Sequence, residues 1–399
     1  MLAVAGALFF VLDRMGLHHM ELPSELLKLT FLAGGVSIVS LFSITLNQTP
    51  DDTYVSYISS FFVWLFSAYA VCSVLERLHG NADVRLVFDY MLGVSVFQCI
   101  MAVLIDVSPV VKSMVDLVFF QNQELLHRIK RLYGIGASLD SAGVRFSVVL
   151  AAAGFFLSGA QERFPPVRQA VYVLSFLLVT VIGNMISRTT IVGFFVGLAV
   201  IIGGRLSLSK SQRSREGVSN AWIWFLSICL VFVICVGLYR ESEDARKMFL
   251  FGFEGFFSLF QSGRFSTGSG EVLRTMYVFP ESIHTWIIGD GYFLNSRYDP
   301  NYLGNAPTGG YYMGTDVGYL RFIFYFGLVG FFFIFSVMAY SAAICWRNYY
   351  AYRRLFLALF LVGLIIWFKV ATDVFFFFAL YISLSFIYNN LHHEKNGDI

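Results

Sequence analysis

The sequence predicts an all-α polytopic membrane protein, and three observations carry that reading. Of the 399 residues, 57% are hydrophobic and only 14% charged, whereas a soluble domain carries about 25% charged residues. Apolar runs recur at about 20 residues, the length a helix needs to cross a bilayer. The alternating pattern of a transmembrane barrel is absent, and a spanning helix satisfies its own backbone hydrogen bonds.

Taken in order, about eleven spans are expected, at residues 1–13, 25–46, 54–75, 86–106, 145–160, 168–187, 189–207, 220–239, 317–345, 354–370 and 372–390. The first is short, as it would be if the chain began within a span. The run 2–12 has no basic residue before it and no small-residue cleavage site, so no cleavable signal is read. One set of connections holds Arg14 and Lys28, Arg77 and Arg85, Arg163 and Arg168, Arg205 with Lys210, Arg213 and Arg215, and Arg347 with Arg353 and Arg354. The alternate short connections are poor in base. The first set is therefore expected in the cytoplasm, with the amino terminus outside and the carboxyl tail inside.

That orientation puts two long segments outside, 107–144 and 239–316, attached to a single transmembrane domain covering 1–399. Both carry several lysines and arginines for that side, which long loops tolerate. A cluster of arginines at the outer ends of spans suits an anionic headgroup, because guanidinium binds phosphate oxygens in a bidentate fork. The first segment holds Lys112, His127, Arg128, Lys130 and Arg131, with Arg145 at its end. The second holds Arg264, Arg274, Arg297, His284, Asp290 and Asp316, with Arg321 just beyond it.

Within the second segment, Phe249, Phe253, Phe256, Phe257 and Phe260 recur at helical spacing behind Arg246 and Lys247, up to Gly263. They read as a helix lying in the interface or one packed on the bundle. Tyr298, Tyr302, Tyr311 and Tyr312 offer either stacking surfaces for sugar rings or an interfacial aromatic belt. Arg188 stands in a tight outward turn between two apolar spans. A charge there either snorkels from a helix end or serves a site. Gly263, Gly268 and Gly270 around Arg264 allow close backbone approach to a ligand, yet GSG follows no strand and precedes no P-loop lysine, which excludes an ATP site. Asp316 and Arg321 read as a salt-bridged helix start or as groups aimed at an acceptor hydroxyl. His284 is either a structural histidine or a base. Lys369 and Asp373 are expected to pair on one helix face. The cysteines Cys72, Cys99, Cys229, Cys235 and Cys345 lie in apolar runs without CxxC spacing, so no disulfide framework, metal site or cofactor is read. Nothing in the charge pattern asks for a nucleic acid.

The layout, with SRTTIVGFFVGL before the large loop, SGR opening it, IIGDGYF further on and TDVGYLRFIFYFGLVG entering the next span, resembles the O-antigen polymerase and ligase group of bacterial inner-membrane proteins. The resemblance implies a glycosyltransferase of the integral-membrane C type, without metal or nucleotide sugar. Its substrate would be an undecaprenyl-diphosphate-linked glycan on the periplasmic face. A chain-length regulator and a flippase would be its partners in the bilayer, and its product would be O-antigen, capsule or exopolysaccharide. Arg188 and Arg264 correspond to the group's outward arginines, and Arg131 in RLYGIG to an arginine of the preceding loop. Asp316 stands where ligases carry a histidine, which favours polymerase over ligation of glycan to lipid A. Arg188, Arg264 and Asp316 are thus the expected catalytic set. Arg131, Arg145, Arg274, Arg321, Gly289, Gly291, Tyr319 and His284 are expected to bind substrate.

Overall fold

The computed structural model describes residues 1–16, 23–119, 131–137, 139–159, 164–206, 210–241, 243–264, 266–294 and 310–397. The expectations attached to His127, Arg128, Lys130, Arg163, Arg297, Tyr298 and Tyr302 lie outside these residues. The helices in chain order are α1 (Leu2–Gly16), α2 (Ser24–Asn47), α3 (Tyr57–His79), α4 (Val84–Val107), α5 (Pro109–Val118), α6 (Leu139–Leu157), α7 (Pro166–Ile186), α8 (Thr190–Leu206), α9 (Lys210–Glu241), α10 (Glu243–Gly252), α11 (Glu254–Ser262), α12 (Gly268–Thr275), α13 (Ile283–Ile287), α14 (Gly318–Asn348), α15 (Arg353–Ile366) and α16 (Phe375–Gly397). Among the described residues extended pairing is confined to two isolated bridges, Gly134 with Ala137 and Leu294 with Tyr311.

Every span expected from the sequence coincides with a helix. Six of these helices, α2, α3, α4, α6, α7 and α14, are long and apolar enough to cross a membrane. Shorter apolar helices run over Thr190–Leu206, Trp222–Gly237 and Phe375–Tyr388. This is the helix set of a polytopic membrane protein. Two local expectations change. The helix expected from residue 145 begins at Leu139, with Asp140 in its first turn, where a carboxylate is favoured by the helix dipole. Residues 367–374 lie between α15 and α16, so Lys369 and Asp373 share no helix face. Instead, Asp373 accepts hydrogen bonds from Tyr57 Oη and the Phe375 amide at the start of α16.

Contacts divide the chain into two compact units, Met1–Val87 with Val272–Ile399, and Phe88–Glu271. The polar interval 239–316 is therefore shared between them. In the first unit α1 packs on α3 so closely that a Cβ on Gly6 would sit 1.7 Å from the Phe66 carbonyl oxygen. Helix α14 packs on α2, and α16 on α3. Aromatic rings fill the interior: Phe61 stacks on Phe375 at 4.7 Å, and Trp367 meets the edge of Phe322 at 5.2 Å.

Helix α14 is broken in its third turn, at Phe326 (φ −135°) and Gly327 (φ 66°, ψ −171°). A break frees carbonyls that an intact helix would satisfy, and buried carbonyls need partners. Segment 289–291 supplies them. The Asp290 amide donates to the Phe324 carbonyl at 2.6 Å and the Gly291 amide to the Tyr325 carbonyl at 3.1 Å. Ser43 Oγ of α2 also donates to the Tyr325 carbonyl, at 2.8 Å. Gly327 lies in the left-handed region, and a Cβ there would be 2.1 Å from the Ile287 carbonyl oxygen, so only glycine closes this joint.

In the second unit α6 is buried along most of its length. It meets α8 through small residues: a Cβ on Gly154 would lie 2.4 Å from the Gly197 carbonyl oxygen, and one on Gly193 2.2 Å from the Ser147 Cα. Gly193 and Gly197 form a Gly-xxx-Gly face, which lets two helices approach where lipid supplies no hydrophobic drive. Gly197→Val is expected to destabilise the protein by about 1–3 kcal/mol through overpacking. Gly203→Ala, whose Cβ meets nothing within 4 Å, should leave the melting temperature in detergent unchanged.

Candidate anion site

The α6–α8 pairing sets the position of the short turn Ser187–Arg188–Thr189 between α7 and α8. The two hydroxyls on either side of Arg188 turn back to α6. Ser187 Oγ and Thr189 Oγ1 donate to Asp140 Oδ1 at 3.2 and 2.7 Å, and Ser147 Oγ donates to the Thr189 carbonyl at 2.8 Å. With its neighbours pinned inward, the Arg188 side chain, 16% exposed, leaves the turn on the other side. Its Nε donates to the Phe251 carbonyl at 3.0 Å and its Nη1 to Ser269 Oγ at 2.7 Å. Its Nη2 lies 2.6 Å from Glu254 Oε2. Glu254 Oε1 in turn accepts from the Gly268 amide at 3.1 Å. Asn184 of α7 donates to the Gly252 carbonyl, fixing the joint between α10 and α11.

Arg131 reaches the same place from the preceding loop. Residues 133–136 of that loop are held by three side chains. The Gln98 amide exchanges two hydrogen bonds with Ile135, at 2.8 and 2.9 Å. Tyr133 Oη donates to Asp116 at 3.1 Å, and Arg145 Nη1 to the Gly136 carbonyl at 3.3 Å. The Arg131 guanidinium then lies 4.5 Å from the Phe251 ring centroid, and that of Arg188 lies 4.0 Å from it. The two cations are thus separated by no more than the sum of those distances. Among the described residues Arg131 makes no hydrogen bond or ion pair, so its donors are available to a ligand. Burial lowers both arginines from their ordinary range. Glu254 opposes this at Arg188, while the charge of Arg131 adds to it; Asp140 opposes it at Arg131. Both remain cationic, because an arginine cannot lose its proton under working conditions.

Other expected site residues stand differently. Arg264 is exposed, just past Gly263, which ends α11 in the left-handed region (φ 69°) as the sequence suggests. Arg274 and His284 are exposed. In the first unit Arg321 is 5% exposed. It lies 3.4 Å from Asp316 Oδ1, donates to the Phe293 carbonyl at 3.1 Å, and stacks over Phe293 and Tyr311 at 3.6 and 4.4 Å. Asp51 takes the Phe293 and Leu294 amides at 2.8 and 2.9 Å. Tyr319 Oη donates to the Leu364 carbonyl at 2.9 Å. At Gly289 and Gly291 the close approach is made by the protein itself: added Cβ atoms would meet the Tyr325 backbone and the Thr49 side chain at 2.6 Å. Asp290 between them accepts from Thr285 Oγ1 at 2.6 Å and Tyr312 Oη at 3.2 Å. Burial raises its carboxyl above the usual range, and both hydroxyls and His284 pull it back.

The structure thus gathers Arg131 and Arg188 and adds Asp140, Phe251, Glu254 and Ser269, which sequence reasoning had not singled out. The sequence held one clue. Glu254 is the lone acid inside the phenylalanine-rich run FLFGFEGFF, and a charge in such surroundings usually has a partner. Among the described residues no group of histidine, cysteine and carboxylate side chains is arranged to hold a metal ion. Compared with family models, curated proteins and solved structures, the chain matches none.

Proposed function

We propose that the chain is an integral-membrane glycosyltransferase of the bacterial inner membrane. In this reading it polymerises undecaprenyl-diphosphate-linked oligosaccharide repeats at the periplasmic face, transferring the growing glycan to a new repeat with inversion. About eleven helices cross the bilayer, and 107–144 and 239–316 lie outside. The observation that supports this reading best is the pair of guanidiniums on one phenyl ring, with Arg131 carrying unengaged donors. When the anomeric bond breaks, negative charge grows on the departing lipid diphosphate. Fixed cations already stripped of much of their water stabilise that charge in the transition state. Glu254 and Ser269 hold Arg188 in place, and Arg131 supplies free donors for bidentate contact. A diphosphate is already a good leaving group, so little help from a base is required at the acceptor hydroxyl. Arg264, exposed and screened by solvent, adds attraction rather than fixed stabilisation.

Deletion of the gene in its native host, followed by separation of the surface glycan by chain length, tests the reading. Single capped repeats on the surface are the expected result. Normal chain lengths would overturn it. Loss of all attached repeats, with long lipid-linked chains accumulating, would instead identify a ligase. Lipid-linked repeats trapped on the cytoplasmic side would identify a flippase.

A further inference from the structure

Phe249, Phe253, Phe256, Phe257 and Phe260 do not form one continuous helical face. The chain breaks at Phe253 (φ −114°, ψ 19°) between α10 and α11. Together with the end of α9 they line an open groove of about 440 Å³. On the α9 side Phe232 and Val236 line it, with Tyr239 and Arg240 a turn further on. Among the described lining residues Arg240 carries the only charge, and it is exposed. Arg246, also exposed, donates from Nε to Tyr239 Oη at 3.2 Å and stands 5.2 Å from that ring. A strongly apolar trough thus ends beside two accessible guanidiniums, in a stretch that also carries Glu241, Glu243 and Asp244.

Two further features define what enters it. Phe232 is 66% exposed and belongs to an apolar face of α9 that includes Phe225, Ile228 and Val233, each at least half exposed. The groove is continuous with that face, so its natural source of ligand is the surrounding bilayer. Its volume and its opening toward that face suit a single alkyl chain lying along it.

We infer that this groove binds one acyl chain of an anionic phospholipid of the bilayer, whose phosphate is held by Arg240 and Arg246. The site is separate from the Arg131–Arg188 pair and stands whether or not the chain polymerises glycan. Juxtamembrane arginines of this kind contribute about 1 kcal/mol each toward anionic lipid, and the chain lying in the groove adds burial that a headgroup alone lacks.

The test uses the full-length protein in nanodiscs of phosphatidylcholine with a minor fraction of phosphatidylglycerol bearing a diazirine near the end of its acyl chain. After irradiation, labelled residues are mapped by mass spectrometry. Labels are expected within 232–239 and 249–260. Unlabelled phosphatidylglycerol should compete and phosphatidylcholine should not. Arg240→Gln combined with Arg246→Gln changes only exposed side chains and keeps the fold. It should lower labelling about thirtyfold, the equivalent of two such arginines. Val236→Trp, which fills the trough, should abolish labelling there even with both arginines present. Equal competition by phosphatidylcholine, labels only outside these segments, or stronger displacement by undecaprenyl diphosphate than by phosphatidylglycerol would each overturn the inference.

Discussion

Arg131→Gln should reduce glycan chain growth on the order of a hundredfold, while leaving the melting temperature of the purified protein unchanged. The size follows from the usual cost of removing one preorganised group that meets developing charge, about 10²–10³ in rate. The stability expectation follows from the contacts. The Arg131 guanidinium lies over Phe251 but makes no hydrogen bond or ion pair among the described residues. Glutamine keeps much of the stacked stem and removes the charge. Arg188→Ala should also abolish long chains, but with a different signature. It deletes the contacts to the Phe251 carbonyl, Ser269 and Glu254, so a stability loss of roughly 1–3 kcal/mol accompanies the loss of activity. Glu254→Gln separates the two roles of Arg188: it keeps a hydrogen-bond acceptor at the guanidinium while removing the ion pair. Arg264→Ala, at an exposed position, should change chain growth only a few-fold, as for a solvent-screened charge. An unchanged ladder of chain lengths in Arg131→Gln would remove the diphosphate from this site.

How much of this was legible in the sequence depends on whether the signal is local. Helix positions follow from runs of apolar residues, and each expected span has its helix. Gly263 closes α11 because a glycine past the last helical residue takes the left-handed conformation that other residues avoid. Arg188 stood out because it is the one charge in a very short turn. The groups that hold its turn did not, because Asp140, Phe251, Glu254 and Ser269 reach the turn from three other segments, and hydropathy carries no information about which segments meet. The break in α14 was equally silent. FYFGLVGFFF reads as an uninterrupted span. The orphaned carbonyls become tolerable only because the distant IIGDG segment offers two amides at the right height. IIGDG and FGLVG are halves of one joint, and each half alone looks like ordinary turn or span sequence. The phenylalanine stripe was half legible. Its spacing gave an apolar face, but not the break at Phe253 that bends the face into a groove.

Arg321→Met should cost about 3–5 kcal/mol of stability, because it takes the buried Arg321 cation away from the half-buried Asp316 carboxylate. The side chains of Arg321 and Asp316 are 6% and 13% exposed, so little water reaches the pair. Arg321 is also clamped between Phe293 and Tyr311, and its Nε is buried without a hydrogen-bond partner, leaving the flanking rings and the Asp316 charge to compensate. This geometry sharpens the choice between the two readings of Asp316, a partner for Arg321 or a group aimed at an acceptor hydroxyl. The choice is settled by a double-mutant cycle in detergent, followed by thermal or denaturant unfolding. If the carboxylate serves the pair, Asp316→Asn is destabilising in the wild-type background and nearly neutral in the Arg321→Met background. The coupling should then exceed about 1 kcal/mol, as for contacting residues in one network. Arg321→Met with Asp316→Asn together should recover part of the loss, since two well-packed neutral groups replace a buried pair at little cost. If instead the two effects add, the carboxylate acts independently of Arg321, and chain growth in Asp316→Asn becomes the readout of a role at the acceptor.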